Sequence, residues 1–394
     1  MHPKDAARDA IEAAREALIE LSHRIHANPE LRFEEQKASG WLAEALSTAG
    51  FVVKTDVCDL PTAFVARAGS GPLHIAICAE YDALEGIGHA CGHNIIATAA
   101  VGAGIGAAKV ADEIGVTVSV IGTPAEEGGG GKILLLDRGG FDGVHASMMV
   151  HPAPIDVAAP PVNAALGFEV NYTGKEAHAS SYPERGINAA DALTIAQTAI
   201  GLLRQHIRPT DRVHGIISKG GDAPNVVPAH TSARYMVRAR SIANLDEIRD
   251  KVYRCFEAGA LATGATMEIV ERESAYSELR SDADLAGIYK RNAEELGRIL
   301  PDLGPGAERF AGSTDMGNVS LAMPAIHPMI GINSLPAVNH QPEFAAHGVT
   351  PHGDKAVIDG ALAMAWTIID AAMDEKVRAR LLAGKTAYRK TANP

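Results

Sequence analysis

Aromatic side chains are scarce in this 394-residue chain, which holds 8 Phe, 8 Tyr and 2 Trp. So few rings give no basis for the stacking platforms that hold single-stranded nucleic acid. Positive charge is also short. Lys and Arg number 36 against 48 Asp and Glu, a net charge of −12. Such a surface repels phosphate backbones, which excludes general nucleic-acid binding. Cysteine occurs four times, at 58, 78, 91 and 255, with no framework spacing. Reduced thiols and a cytoplasmic home are expected. No membrane segment stands out. The apolar run over 95–108 is mainly Ala and Gly, too short to span and better read as a buried helix. The first residues show no apolar leader region. Familiar catalytic and nucleotide motifs are missing too. No serine sits in a G-x-S-x-G elbow. The Gly86, Gly88 run meets Cys91 where a dinucleotide loop needs glycine. The glycines at 128–131 precede Lys132 but then Ile133, where a phosphate loop needs Ser or Thr.

What is present is a globular composition, 46% hydrophobic and 21% charged, long enough for two or three domains. Three- and four-residue apolar steps predict helices over 5–27 and 34–48. Strands are expected over 51–57, 63–68, 73–79, 116–122 and 147–150, with a small-residue helix after His93. That alternation implies an α/β catalytic layer over 1–162 and 275–394. Between them, 163–274 reads β-α-β-β-α-β, the ferredoxin-like split pattern of an inserted α+β domain. Long helices are expected over 282–296 and 352–374.

The polar residues gather where these strands end. The strand closing at Ala79 runs into Glu80, Tyr81 and Asp82. The strand closing at Gly122 leads to Glu126 and Glu127, and the strand closing at Val150 leads to His151. Open α/β sheets bind ligands beyond the carboxyl ends of their strands. Cys91 and His93 lie between the first two strands, separated only by Gly92, so one loop can aim both at one centre. Cys, His and Glu are metal ligands. A helix starting there favours a thiolate at Cys91. Adjacent glutamates suit metal hydrolysis, because one can bind the ion while the other takes a proton from water. Taken singly, a buried Cys is more often packing and a strand-end His more often a satisfied surface group. Four such groups at successive unit ends outweigh that reading.

These segments resemble the amidohydrolase branch of the two-metal aminoacylase and carboxypeptidase family, which includes hippurate, indoleacetyl-amino-acid and p-aminobenzoyl-glutamate hydrolases. The resemblance rests on Asn28-Pro29-Glu30-Leu31, on 79–84, on His89-Ala90-Cys91-Gly92-His93, on 122–127 and on His151-Pro152. It continues through 174–190 and 223–228 to His340-Gln341-Pro342-Glu343-Phe344. It implies a phosphorylase/hydrolase-like mixed sheet with helices on both faces, and an inserted lid and dimerisation domain. It implies that Cys91 bridges two divalent ions and that His93, Glu127, His151 and His340 complete their coordination. The sequence by itself leaves His340 level with His327, His347 and His352. The ions implied are Zn²⁺ or Mn²⁺, with Co²⁺ or Ni²⁺ tolerated by the same donors. Glu126 becomes general base and then proton donor. His178 becomes the lid histidine that polarises the scissile carbonyl in a partner subunit, so a homodimer is expected. Some relatives need a second, different subunit. Asn225 is a substrate-binding candidate. Arg234, with Arg238 and Arg240 on the same strand face, is either a carboxylate clamp or a solvated edge. Many relatives carry Asp and a second His after Cys-Gly-His. Here Asn94 and Ile96 stand there, and Asn brings no anionic support for a ligand. Asn94 and the 128–131 glycines most resemble the p-aminobenzoyl-glutamate hydrolase subgroup.

The leading expectation is a metal-dependent amidohydrolase that cleaves N-acyl or N-aroyl amino acids, or dipeptides, with a metal-activated water. Two rivals stand beside it. One is a hydrolase or acyltransferase with Cys91 as nucleophile. The other is a non-catalytic amino-acid or peptide binder on a hydrolase scaffold.

Overall fold

A computed structural model describes residues 2–304, 306–307 and 311–384. The chain forms two compact units, one of Met1–Pro161, Leu279–Phe310 and Asp315–Pro394, the other of Val162–Glu278 and Ala311–Thr314.

The larger unit is built on α1 (Pro3–Ala13), α2 (Arg15–His26), α3 (Gln36–Thr48), β1 (Val52–Thr55), β2 (Phe64–Ala68), β3 (Leu73–Ala79), α4 (His93–Ala108), β4 (Val116–Gly122), α5 (Gly131–Asp137), β5 (Ala146–Met148) and β6 (His151–Ala153). The smaller unit follows as β7 (Ala164–Thr173), α6 (Ala189–Leu203), β8 (Arg212–Lys219), β9 (His230–Ala239), α7 (Ile242–Thr263) and β10 (Thr266–Val270). The chain then returns through α8 (Ala283–Glu295), α9 (Met316–Ala322), β11 (Ala325–Ile326), β12 (Met329–Gly331), α10 (Pro342–His347), α11 (Pro351–Met373) and α12 (Glu375–Ala383).

The main sheet is six-stranded and mixed, in the order β1-β2-β4-β3-β5-β11. The β1-β2 and β2-β4 pairs are antiparallel, whereas β4-β3, β3-β5 and β5-β11 are parallel. Every residue of β3 is buried, as a central parallel strand covered on both faces requires. Leu73, Ile75, Ile77 and Ala79 pack into one core, while Ala76 and Cys78 pack into another beneath the opposite face. The first core is dominated by α4 and α11. α4 can press so close because it is rich in small residues. A Cβ on Gly102 would sit 2.8 Å from that of Ala361 in α11. Among the described residues, α11 is the one helix long and apolar enough to cross a membrane. Its most apolar window is 89% buried inside the protein, so it is a core helix here.

The smaller unit has an antiparallel sheet in the order β10-β7-β9-β8. With α6 and α7 this is the ferredoxin-like arrangement. Burial alternates along β7 and β9, so one sheet face meets the two helices. Phe256 meets the stacked Phe168 and Tyr235 rings edge to face there, the Tyr235–Phe256 centroids 5.0 Å apart.

Two differences from the sequence reading matter. The first predicted helix is two, α1 and α2, meeting at Ala14. β9 is an interior strand paired on both sides, so Arg234 does not lie on an edge. The edge-strand explanation for its charges fails.

Candidate metal centre

Loops at the ends of β3 and β4 and the start of α4 position the site. Gly92 is the N-cap of α4 with φ +79°, a left-handed turn that sets Cys91 and His93 on either side of it. A Cβ on Gly92 would meet Pro152 at 2.8 Å, so glycine also lets the loop close against the residue after His151. After β4, Ala125 is held at φ +59°. Its amide donates to Glu35 Oε1 at 2.9 Å, which pins a strained turn just ahead of Glu126. Glu35 is fully buried, and burial lifts its carboxyl to about 7.

The structure brings together all five residues expected as ligands. Cys91, His93 and His151 offer ligand atoms within 4.8 Å of one another, and so do Cys91, Glu127 and His340. Cys91 is common to both groups. Cys91 Sγ lies 3.4 Å from His151 Nε2. Glu127 reaches His93 Nε2 at 3.7 Å with one oxygen and His340 Nε2 at 3.5 Å with the other. Cys91, His93 and His151 are buried, whereas the His340 side chain is 56% exposed. His340 is itself left-handed, at φ +68°, and its amide donates to Ala90 O.

Outer hydrogen bonds set the tautomers. Asp82 Oδ1 accepts from His93 Nδ1 at 3.0 Å, and Asp82 Oδ2 accepts from the Glu127 amide at 2.9 Å. His151 Nδ1 donates to Pro152 O at 2.8 Å. Both rings therefore present Nε2 to the centre. The anionic support expected to be lost with Asn94 comes from Asp82. Asn94 instead faces the interior, donating to Ser22 Oγ at 2.9 Å. Asn339 donates to Pro152 O at 3.0 Å and approaches Cys91 Sγ at 3.9 Å.

The charge balance favours a cation. His93 Nε2, Glu127 Oε1 and Glu80 Oε2 are buried without a hydrogen-bond partner. Leaving such atoms unmatched is costly. Burial, then the Glu80 and Glu127 carboxylates, push Glu126 well above the usual carboxyl range. The helix start does not make Cys91 a thiolate on its own. Burial, then the Glu127 carboxylate, raise the thiol well above its ordinary value. The chemistry of the donor set, thiolate, imidazole and carboxylate, fits a divalent transition-metal ion. Burial opposes charge on His93, but Asp82 still lifts its pKa well above 6.5.

Sequence reasoning passed over Glu35, Lys132, Asp315 and Asn339. Lys132 looked like part of a failed phosphate loop. Its ammonium is completely buried, 2.5 Å from Glu80 Oε1 and 2.6 Å from Asp315 Oδ1. Burial would raise the Glu80 pKa, but Lys132 and then His93 bring it down to about 2.

His178 and Asn225 lie in the smaller unit and are both exposed. They sit on adjoining segments, where His178 bridges Val226 and the Ala179 amide donates to Asn225 O at 3.0 Å. His178 Nδ1 accepts from the Ser180 and Ser181 amides at 3.3 and 3.2 Å. The ring proton is thereby assigned to Nε2. Arg234 stands mid-strand on β9, exposed, opposite Glu169 of β7 and Ile216 of β8. Arg238 shares its face and donates to Ser313 Oγ at 2.9 Å.

A two-faced α/β sheet with a Cys/His/Glu cluster at its strand ends, beside a second glutamate, defines a metallohydrolase-type site. Residues 163–263 match the peptidase dimerisation domain of the M20 family. The chain is 38% identical over 382 residues to the Xaa-Arg dipeptidase of Mus musculus, covering 93% of this chain and 88% of that one. It is 37% identical over 281 residues to a subunit of the p-aminobenzoyl-glutamate hydrolase of Escherichia coli (strain K12), covering 66% and 58%. The fold is similar to that of a dinuclear metal binding peptidase of the M20 family from Bacillus subtilis, with a TM-score of 0.67, 20% identity, and coverage of 91% of this chain and 99% of that one. The chain belongs to the M20 peptidase family, whose named relatives here are hydrolases of amide or peptide bonds.

Proposed function

We propose that the enzyme hydrolyses the amide of a small N-acyl or N-aroyl amino acid, p-aminobenzoyl-glutamate-like, or of a dipeptide, at a centre of two divalent ions. The relatives' names support that substrate range. The observation that carries the reading is the pair of ligand groups sharing Cys91 Sγ. His93 and His151 would hold one ion with Cys91, and Glu127 and His340 the other. Zn²⁺ suits the thiolate, while Mn²⁺, Co²⁺ and Ni²⁺ suit the remaining donors. Such ions lower the pKa of an attacking water to about 7 and polarise the substrate carbonyl.

The chain's own groups do the rest. Asp82 holds His93 by Nδ1 and orients the Glu127 backbone. Glu126 takes the proton of the attacking water and returns it to the departing amine. His178, protonated on Nε2, donates to the oxyanion of the tetrahedral adduct, acting in trans within a homodimer. Asn225 binds the substrate, and Arg234 offers a guanidinium for its carboxylate. A hetero-subunit is a further assembly to test, and the cytoplasm is the compartment we assign.

The Cys91 nucleophile gains one observation, the His151 ring at 3.4 Å. Electrostatics oppose it. Burial raises the thiol and lowers His151 to about 4, so the thiolate–imidazolium pair is disfavoured.

The test is to incubate metal-reconstituted protein with N-acyl amino acids, p-aminobenzoyl-glutamate and dipeptides, and to identify products by mass. Cleavage that is lost on chelation and restored by the ion is expected. A metal-loaded protein inert to the whole panel would count against the amidohydrolase and revive the binder. Mixing Glu126→Ala with His178→Ala subunits should restore one working site per hybrid. No recovery despite subunit exchange refutes the shared site.

A further inference from the structure

We propose that Glu80 is an additional protein ligand of this centre, on the His93 side, and that Lys132 and Asp315 form the bracket that aims it. The inference rests on the metal-centre reading above.

Glu80 emerges from the end of β3 with no exposed surface. Its two oxygens have different surroundings. Oε1 accepts from Lys132 Nζ at 2.5 Å. Oε2 is buried, has no hydrogen-bond partner, and lies 3.6 Å from His93 Nε2. That nitrogen also lacks a partner, because His93 commits Nδ1 to Asp82. Glu126 Oε2 is 3.8 Å from the same nitrogen. Glu80, His93 and Glu126 thus offer three ligand atoms mutually within 4.8 Å.

The bracket is rigid. Asp315, the residue before α9, takes the Lys132 ammonium on Oδ1 at 2.6 Å and the Lys132 backbone amide on Oδ2 at 2.9 Å. Lys132 is fully buried near the start of α5. Its ammonium sits between Glu80 and Asp315, and leaving Glu80 would strip a buried carboxylate of its counter-charge in a dry interior. One ammonium between two carboxylates leaves a net negative charge. The oxygen that carries it outward is Glu80 Oε2, facing His93. A buried anionic oxygen with no hydrogen-bond donor calls for a cation, and a metal ion held by His93 Nε2 would supply one.

The test uses metal-free full-length protein titrated with Zn²⁺ against a chromophoric chelator, together with the visible spectrum of the Co²⁺-loaded form. Glu80→Gln should weaken one of the two ions at least tenfold, leave the other unchanged and alter the Co²⁺ bands. Lys132→Met should weaken the same ion. Because a lone buried carboxylate pair can prevent folding, the neutral triple variant Glu80→Gln/Lys132→Met/Asp315→Asn is measured alongside. A folded triple variant should show the same one-ion loss. Two unchanged affinities and an unchanged Co²⁺ spectrum in folded Glu80→Gln overturn the assignment. Unchanged binding in Lys132→Met overturns the bracket. A wild-type protein that takes up no ion refutes the underlying metal-centre reading instead, so the two failures are distinguishable.

Discussion

Asp82→Asn is the sharpest perturbation of the metal centre, because it is nearly isosteric and touches no proposed ligand atom of an ion. The carboxylate accepts two hydrogen bonds, from His93 Nδ1 and from the Glu127 amide. An amide has one oxygen and one NH₂. Whichever way it is turned, one of these two donors faces another donor. A charge-assisted bond is worth roughly 1.5–3 kcal/mol, and an unmatched buried donor costs about 1–3 kcal/mol. Some of that loss falls on folding and some on the two ligands that Asp82 orients. Partners of this kind typically change metal affinity 10–100-fold, about 1.4–2.8 kcal/mol. We therefore expect Asp82→Asn to bind Zn²⁺ 10–100-fold more weakly in a chelator competition. Asn94→Ala should leave Zn²⁺ affinity unchanged, since Asn94 points to Ser22. Equal Zn²⁺ affinity in wild type and Asp82→Asn would refute the argument, as would a larger loss in Asn94→Ala.

Three further outcomes follow from the same geometry. Glu126→Gln should keep its ions by elemental analysis but lose about 10²–10⁴-fold in kcat, and retained activity within tenfold would remove Glu126 as the proton carrier. Gly92→Ala should lose about 2–5 kcal/mol in denaturant unfolding, combining left-handed strain with the clash on Pro152, and a loss under about 0.5 kcal/mol would contradict that close contact. His74 supplies one pH-dependent contribution to stability. Burial, then Arg67, lower its pKa from 6.5 to about 4, and its Nε2 meets Ser119 Oγ at 2.7 Å. Its contribution is whole above pH 6.5 and shrinks as pH falls to about 4, because the unfolded chain protonates first. The wild-type advantage over His74→Gln should fall across that window by at most about 3 kcal/mol, and a flat difference would contradict the assignment.

Much of this arrangement is legible in the chain. β3 and β4 occupy the expected 73–79 and 116–122, because apolar runs there are bounded by turn residues. The end of β5 was harder. The chain breaks after Met148 and restarts at His151 to pair with β12, a two-residue interruption that no periodicity marks. Neighbours in sequence, Cys91 with His93 and Glu126 with Glu127, announce themselves by spacing. The supports do not. Lys132 meets Glu80 across 52 residues and Asp315 across 183, and a buried lysine carries no local signature. Asp82 shows its role only once α4 brings His93 beside it. Glu35 gives no signal until the left-handed Ala125 needs its carboxylate.

The central claim is that one sulfur, that of Cys91, serves two ions. X-ray absorption on the metal-reconstituted protein, with elemental analysis on the same sample, measures this directly. The account predicts two ions per chain, each with a sulfur neighbour at about 2.3 Å for zinc, and loss of that shell in Cys91→Ala. Ions surrounded only by nitrogen and oxygen, or a sulfur shell that survives Cys91→Ala, would contradict it.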